Sequence, residues 1–280
     1  MIISSKQLSD FNTNGYIVLP AFLPADLIQK LKSEVDHWVD EGLREKSIAK
    51  ARDRDPPAMM EFDLREHGWL ISHPPLMTIL EQILGPGFAY HHLHSDRHDF
   101  NSGDKNWHHD YEQYPQSNRS HTMIHVLHYL SKLDGDTADL VVVPGTHRKV
   151  MDKAALHSFG TRPLPGEVVI NHVPEGTTII MHSAALHARR VKPQKNRNWR
   201  RYFIDCSYCQ QGVQWPQVKG YWRAALAHAR KLGLDRNRWP SLFDEKHFYD
   251  LYDFLPRFNE INQGSLLGHI MEKSLTKDNV

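Results

Sequence analysis

The chain has 280 residues, a formal net charge of +1 and 40% hydrophobic residues, with seven Trp, eleven Phe and ten Tyr. That is ample for a packed core, and it offers no basic stripe for nucleic acid or an anionic membrane. No stretch approaches a membrane span and the first residues lack the apolar centre of a signal peptide, so the chain is expected to be cytoplasmic.

A chain of this length without a Gly/Ser or Pro-rich linker is expected to form a single domain over 1–280. Ser4 to Asn14 predicts a short helix buried through Leu8 and Phe11, and Tyr16 to Leu19, between Gly15 and Pro20, predicts a strand. Pro24-Ala25-Asp26 opens a helix over Leu27 to Val39, in which Leu27, Leu31, Val35 and Trp38 share a face. Residues 44–66 are rich in Arg, Asp, Glu and Pro and read as a surface loop or a mobile substrate cover. Leu76 to Leu84 is helical and stops at Gly85-Pro86-Gly87.

From about 88 to 210 the pattern changes to short β-rich runs between Gly, Pro and Asp turns. The runs include Thr122 to Leu130, Leu140 to Val143, Glu167 to Asn171, Thr177 to Met181 and Arg200 to Cys206. Many short strands of this kind indicate a mainly β sandwich or barrel. A helical C-terminal extension is expected over about 216–275. Val218, Tyr221, Trp222, Ala225, Leu226 and Ala229 form its first apolar stripe, with Gly233 as a stop. Phe243, Phe248, Tyr249, Tyr252 and Phe254 pack on the barrel, or serve as a lid or dimer contact. Cys206 and Cys209 form a lone C-x-x-C with no second pair, and are expected to be reduced thiols.

Three residues point to chemistry. His108 and Asp110 lie in Trp107-His108-His109-Asp110-Tyr111, and His187 in Leu186-His187-Ala188-Arg189-Arg190. Two imidazoles and one carboxylate with open positions beside them form the facial triad of non-haem Fe(II) sites. If Trp107 to Tyr111 is a strand, His108 and Asp110 point the same way and His109 points away. His-x-Asp also occurs at His94 and Asp96, in the crowded run from His91 to His98, which reads instead as the strand before the metal strand.

The chain resembles the phytanoyl-CoA dioxygenase family of Fe(II)- and 2-oxoglutarate-dependent oxygenases. The likeness rests on Asn14 to Pro20, Trp107 to Pro115, Leu140 to Arg148, and His187 followed by Trp199-Arg200-Arg201. It implies a double-stranded β-helix, a jelly roll, with flanking N-terminal and C-terminal helices. It implies His108, Asp110 and His187 as catalytic metal ligands, with Fe(II), 2-oxoglutarate and O2 as cofactors and ascorbate as an optional stimulant. Decarboxylation of 2-oxoglutarate to succinate and CO2 would drive hydroxylation or oxidative cleavage of a small polar metabolite.

The distal carboxylate of 2-oxoglutarate calls for an Arg, and the resemblance implies one on the strand shortly after the distal histidine. Strand alternation puts Arg200, Tyr202 and Ile204 on one face and Arg201, Phe203 and Asp205 on the other. The aromatic-Arg pair Trp199-Arg200 favours Arg200. His125 stands as a second co-substrate contact or as a packed residue, and Arg189 as a substrate contact or an exposed side chain. His182 competes with His187 as a ligand but is disfavoured by the loop position read for His187 and its distance to Arg200. His147 is expected to order a turn. A non-catalytic metabolite-binding jelly roll and a zinc-dependent hydrolase with the same ligands remain alternatives, and Asp110 argues against halogenation. The ending Lys277-Asp278-Asn279-Val280 carries no peroxisomal address, so location does not imply an acyl-CoA substrate.

Overall fold

Ser4 opens the first helix, α1 (Ser5–Asn14), with a capping box in which its side chain and that of Gln7 satisfy each other's backbone N–H groups. Gly15 closes it at φ 84°, and a Cβ there would lie 2.5 Å from His147 Nδ1, so both conformation and space demand glycine. The computed structural model describes residues 2–250 apart from 101, 114–117, 136–138, 153–155, 157 and 193–198. The expectations for Tyr252, Phe254 and the rest of 251–275 lie outside the described residues.

Strand β1 (Tyr16–Leu19) is followed by α2 (Ala25–Asp40), whose buried face includes Leu27, Leu31, Val35 and Trp38 as the spacing predicts. Residues 44–66 depart from a plain loop. Helix α3 (Leu43–Ala49), a 3-10 turn at Glu61–Asp63 and the start of α4 (Arg65–Ile71) occupy them, with Met60, Glu61 and Phe62 buried. The cause is tertiary: the Glu34 carboxylate on α2 accepts from the N–H groups of Glu66, at 2.9 Å, and His67, at 3.0 Å, capping α4 from 32 residues away. Helix α5 (Pro74–Leu84) starts at a proline and ends at Gly85.

Two antiparallel sheets then form the mainly β core. One has the order β1-β9-β4-β11-β2, built with β2 (Phe88–Asp99), β4 (Met123–Tyr129), β9 (Thr177–His182) and β11 (Arg200–Gln210). The other has the order β3-β10-β6-β7, built from β3 (Lys105–His108), β6 (Asp139–Val143), β7 (Val168–Ile170) and β10 (Leu186–Arg190). Two small pairs complete it: β5 (Leu133–Asp134) with β8 (His172–Val173), and β12 (Trp215–Pro216) with β13 (Phe248–Tyr249).

The large sheet is buried on both faces. Its outer face, including Leu93, Val126, Ile180, Ile204 and Cys206, shares a core with the helices. Each such fully buried aliphatic side chain contributes on the order of 1.5–3 kcal/mol. The inner face, with Tyr129, Ile179 and Met181, meets Leu140 and Val142 of the facing sheet. Cys206 and Cys209 are buried free thiols. The tail contributes α6 (Trp222–Lys231), and Trp222, Leu226, Phe243 and Phe248 join the same core as the sheet. No helix among the described residues is long and apolar enough to cross a membrane.

Candidate active site

The register of β11 with its neighbours lays out the inner wall in rows. Ser207 lies between His92 on β2 and His125 on β4, Asp205 between His94 and Leu127, and Phe203 between Asp96 and Tyr129. Arg201 faces His98 in the row beyond. Opposite them, His187 and Arg189 project from β10 beside Val142 and Leu140 of the inter-sheet core. The barrel interior is therefore polar at both ends, with Leu127, Phe203, Tyr129 and Val142 among the residues between.

His187 lies on β10, directly across from His108 on β3, and not in a loop as expected. Their rings are 4.2 Å apart between centroids. Strand β3 ends at His108, so Asp110 reaches the same side from the loop beyond, where its N–H donates to Ser183 O at 2.7 Å. Asp110 Oδ1 is 3.7 Å from His108 Nε2 and Oδ2 is 3.2 Å from His187 Nε2. One donor atom from each residue lies within 4.8 Å of the others. His109 turns away, with its Nε2 3.1 Å from Met151 O.

The outer nitrogens complete this arrangement. His108 Nδ1 lies 2.6 Å from Asn106 O and His187 Nδ1 lies 3.0 Å from Ala185 O. A carbonyl only accepts, so each Nδ1 donates to its carbonyl and each Nε2 faces Asp110. Burial, then the nearby His187, pull His108 down to about 3, leaving it neutral at physiological pH. Burial pushes the Asp110 carboxyl up, but His108 and His187 outweigh it and hold Asp110 well below the usual range. Two imidazoles and one carboxylate form the donor set that a divalent first-row metal takes.

Arg200 does not enter the barrel, which corrects the expectation for it. Its side chain is half exposed, with ion pairs to Asp36 at 3.6 Å and Asp99 at 3.7 Å. Arg201 is the inward residue, 4% exposed, with its guanidinium 5.0 Å above the Tyr129 ring. Arg189 joins it. Arg201 Nη1 lies 3.0 Å, and Arg189 Nη1 2.8 Å, from His98 Nδ1. Burial and these two cations pull His98 down to about 2, so the shared imidazole is neutral. Neither inward guanidinium has a carboxylate within ion-pair distance among the described residues, and the Nε of each is closed to solvent without a partner. Two adjacent cations lacking an anion, Arg201 buried and Arg189 half-buried, fit a carboxylate guest.

The other singled-out residues separate clearly. His125 is inside, its Nδ1 2.6 Å from Asp205 Oδ2. His182, at the end of β9, is a packing residue stacked on Tyr111 and Phe11, and its Nδ1 accepts from the Ala184 N–H at 3.0 Å. His147 sits in a 3-10 turn, 3.3 Å from Asn12 O. His94 is 3.9 Å from Asp96, whose carboxylate takes Arg44 at 3.0 Å. Sequence reasoning passed over His92, Asp205 and His98, although the alternation that pairs Arg201 with Asp205 already placed those two on one face. Above His92 a cleft opens, lined by Glu61, Gln217, Lys219, Tyr221 and Trp222.

The family model described as phytanoyl-CoA dioxygenase (PhyH) matches residues 11–192. The chain belongs to the phytanoyl-CoA dioxygenase family. As a member of it, the chain is an oxygenase of the Fe(II)- and 2-oxoglutarate-dependent class, with the jelly-roll fold. Among solved structures it is similar to SnoK, the non-heme alpha-ketoglutarate-dependent carbocyclase of nogalamycin biosynthesis. The TM-score is 0.58 at 13% identity, covering 76% of this chain and 86% of that one. HygX from Streptomyces hygroscopicus, with nickel and 2-oxoglutarate bound, gives 0.58 at 16% identity, covering 76% and 90%. EctD from S. alaskensis, with 2-oxoglutarate and 5-hydroxyectoine, gives 0.55 at 18%, covering 74% and 76%. At these identities the likeness is one of fold. No curated protein sequence matches the chain.

Proposed function

We propose that this enzyme hydroxylates or oxidatively cleaves a small polar metabolite, using Fe(II) held by His108, Asp110 and His187. The observation that carries this reading is the convergence of both Nε2 atoms on Asp110, with each Nδ1 tied to a backbone carbonyl. Such ties fix tautomer and ring orientation before metal arrives. Bound iron supplies activation of O2 coupled to decarboxylation of 2-oxoglutarate. Arg201 orients that co-substrate by its distal carboxylate and replaces Arg200 in the role, while Arg189 adds a second charge beside it. Leu127 and Phe203, with Val142 of the facing sheet, lie between the two ends.

A small polar substrate is supported by the polar rows beside the triad and by the ligands of two relatives in fold, hygromycin B in HygX and 5-hydroxyectoine in EctD. Two buried free thiols fit a cytoplasmic setting. A single catalytic unit over 1–280, with a jelly-roll core at about 88–210, is supported by tail residues sharing the core of the sheet. The test is aerobic incubation with Fe(II), 2-oxoglutarate and ascorbate against a metabolite library, read by succinate and product mass. Metabolite-dependent succinate with iron and none with zinc supports the proposal; a hydrolysis product formed with zinc overturns it.

A further inference from the structure

We propose that Arg189 and His98 set the enzyme's demand for a diacid co-substrate. Arg189 is a second, specificity-determining cation for the distal carboxylate, and His98 is the positioning residue that holds it beside Arg201. The proposal rests on the reading of His108, Asp110 and His187 as the metal site and deepens it.

Strand β10 carries a part of each end of this site. His187 and Arg189 are two residues apart on it, and Ala188 between them packs in the core on the opposite face. Two residues of strand advance roughly 6.6 Å, so Arg189 lies one step along the barrel from the triad. The far carboxylate of a five-carbon diacid chelated through its near end would arrive there. Arg201 reaches the same place from β11, and the two guanidiniums meet at His98 on β2.

The meeting is unbalanced. Arg201 Nη1 and Arg189 Nη1 approach the same nitrogen, His98 Nδ1, at 3.0 and 2.8 Å, and Arg189 Nη1 also lies against Nε2 of that ring. A neutral imidazole has one accepting nitrogen and a protonated one has none, so His98 satisfies one guanidinium at most. The nearby carboxylate of Asp96 accepts from Arg44 at 3.0 Å and stands 3.7 Å from His98 Nε2. Arg189 Nη2 donates to Gly103 O, which fixes the side chain in place without neutralising it. With both Nε atoms closed to solvent and unpartnered, two cations compete for one acceptor. A carboxylate resolves the competition, because its two oxygens offer about four lone-pair sites. Among the described residues the second cation has no carboxylate of its own, so its contribution depends on the distal charge of the guest, and the pair selects for that charge.

Anaerobic calorimetry on the Fe(II)-loaded protein tests this without turnover, using 2-oxoglutarate and oxalate as probes. Oxalate chelates a metal but has no carboxylate beyond its chelating end. In Arg189→Gln the Kd for 2-oxoglutarate is expected to rise at least about tenfold while that for oxalate stays within about twofold. His98→Leu, which removes the shared acceptor, is expected to show the same selective loss, and His98→Gln, which keeps a side-chain acceptor, to recover most of it. A residue that only supports the wall would weaken both probes alike or neither, and either result in Arg189→Gln overturns the proposal. Circular dichroism checks folding. Because His98 is buried and its loss can unfold the barrel, Arg189→Gln, at a half-buried position, decides the matter if His98→Leu does not fold. A native chain that binds oxalate but not 2-oxoglutarate overturns the proposal alone, whereas one that binds neither refutes the metal site on which it rests.

Discussion

Arg200 and Arg201 are consecutive on β11 and point in opposite directions. The first reaches Asp36 and Asp99 on the outer surface, while the second stacks on Tyr129 inside the barrel. Only the inward guanidinium is placed to meet a co-substrate.

Arg201→Ala is therefore expected to raise the KM for 2-oxoglutarate by one to two decades, with a smaller effect on the prime substrate. A charge-assisted hydrogen-bonded contact contributes roughly 1.5–3 kcal/mol, which corresponds to about that range in affinity. Arg200→Ala removes exposed ion pairs of at most about 1 kcal/mol and should leave the KM close to native. Steady-state titration of 2-oxoglutarate decides it, and the reverse order would return the role to Arg200.

The choice between the two arginines was not legible in the sequence, because β11 is covered on both sides. Its outer face meets a polar network around Asp36, and its inner face carries Arg201 and Asp205, so polarity marks neither side. Alternation grouped the residues correctly, and only pairing with β2 and β4 tells which group is inside. The pairing of His108 with Asp110 was legible because the two residues are local, even though the strand ends at His108 and a loop carries Asp110. His92, His125 and Asp205 left no such trace, being brought together by register across three strands. The helices within 44–66 were hidden for a related reason: the cap of α4 is supplied by Glu34, far away in sequence.

Acid stability should respond to the buried histidines. Burial pulls His128 down to about 3, and burial with nearby His147 and Arg119 pulls His182 down to about 3. In the unfolded chain each takes up a proton near pH 6.5, whereas in the folded chain each stays neutral. Their contribution is thus fully present above pH 6.5 and is lost as the pH falls toward 3, at about 1.4 kcal/mol per pH unit for each. The metal-free protein should lose thermal stability steeply between pH 6.5 and 5. His128→Gln should have a shallower slope of Tm against pH, and an unchanged slope would contradict this account.

His187→Ala is expected to abolish turnover and most iron binding, whereas His182→Ala should fold, bind iron and keep part of the activity. The first removes one of three donors and the geometry they impose. The second opens a cavity beside Tyr111 and Phe11, so its cost appears in thermal unfolding. Iron content measured beside Tm separates the two effects. Retained activity in His187→Ala would end the assignment of the triad.

Asp110→Gly is the most demanding case. The carboxylate holds no strand pairing, since β3 stops at His108, and its backbone N–H to Ser183 O survives the substitution. The variant should therefore keep its fold while losing one negative charge and one ligand from the centre. Iron affinity should fall and metabolite-dependent succinate release should collapse. His94→Ala should do neither, because His94 lies 3.9 Å from an Asp96 already engaged by Arg44. Iron content, thermal unfolding and 2-oxoglutarate turnover measured on both variants give the answer. If Asp110→Gly remains as active as the parent while His94→Ala loses iron, the metal belongs to the other His-x-Asp pair, and the assignment of His108, Asp110 and His187 fails with it.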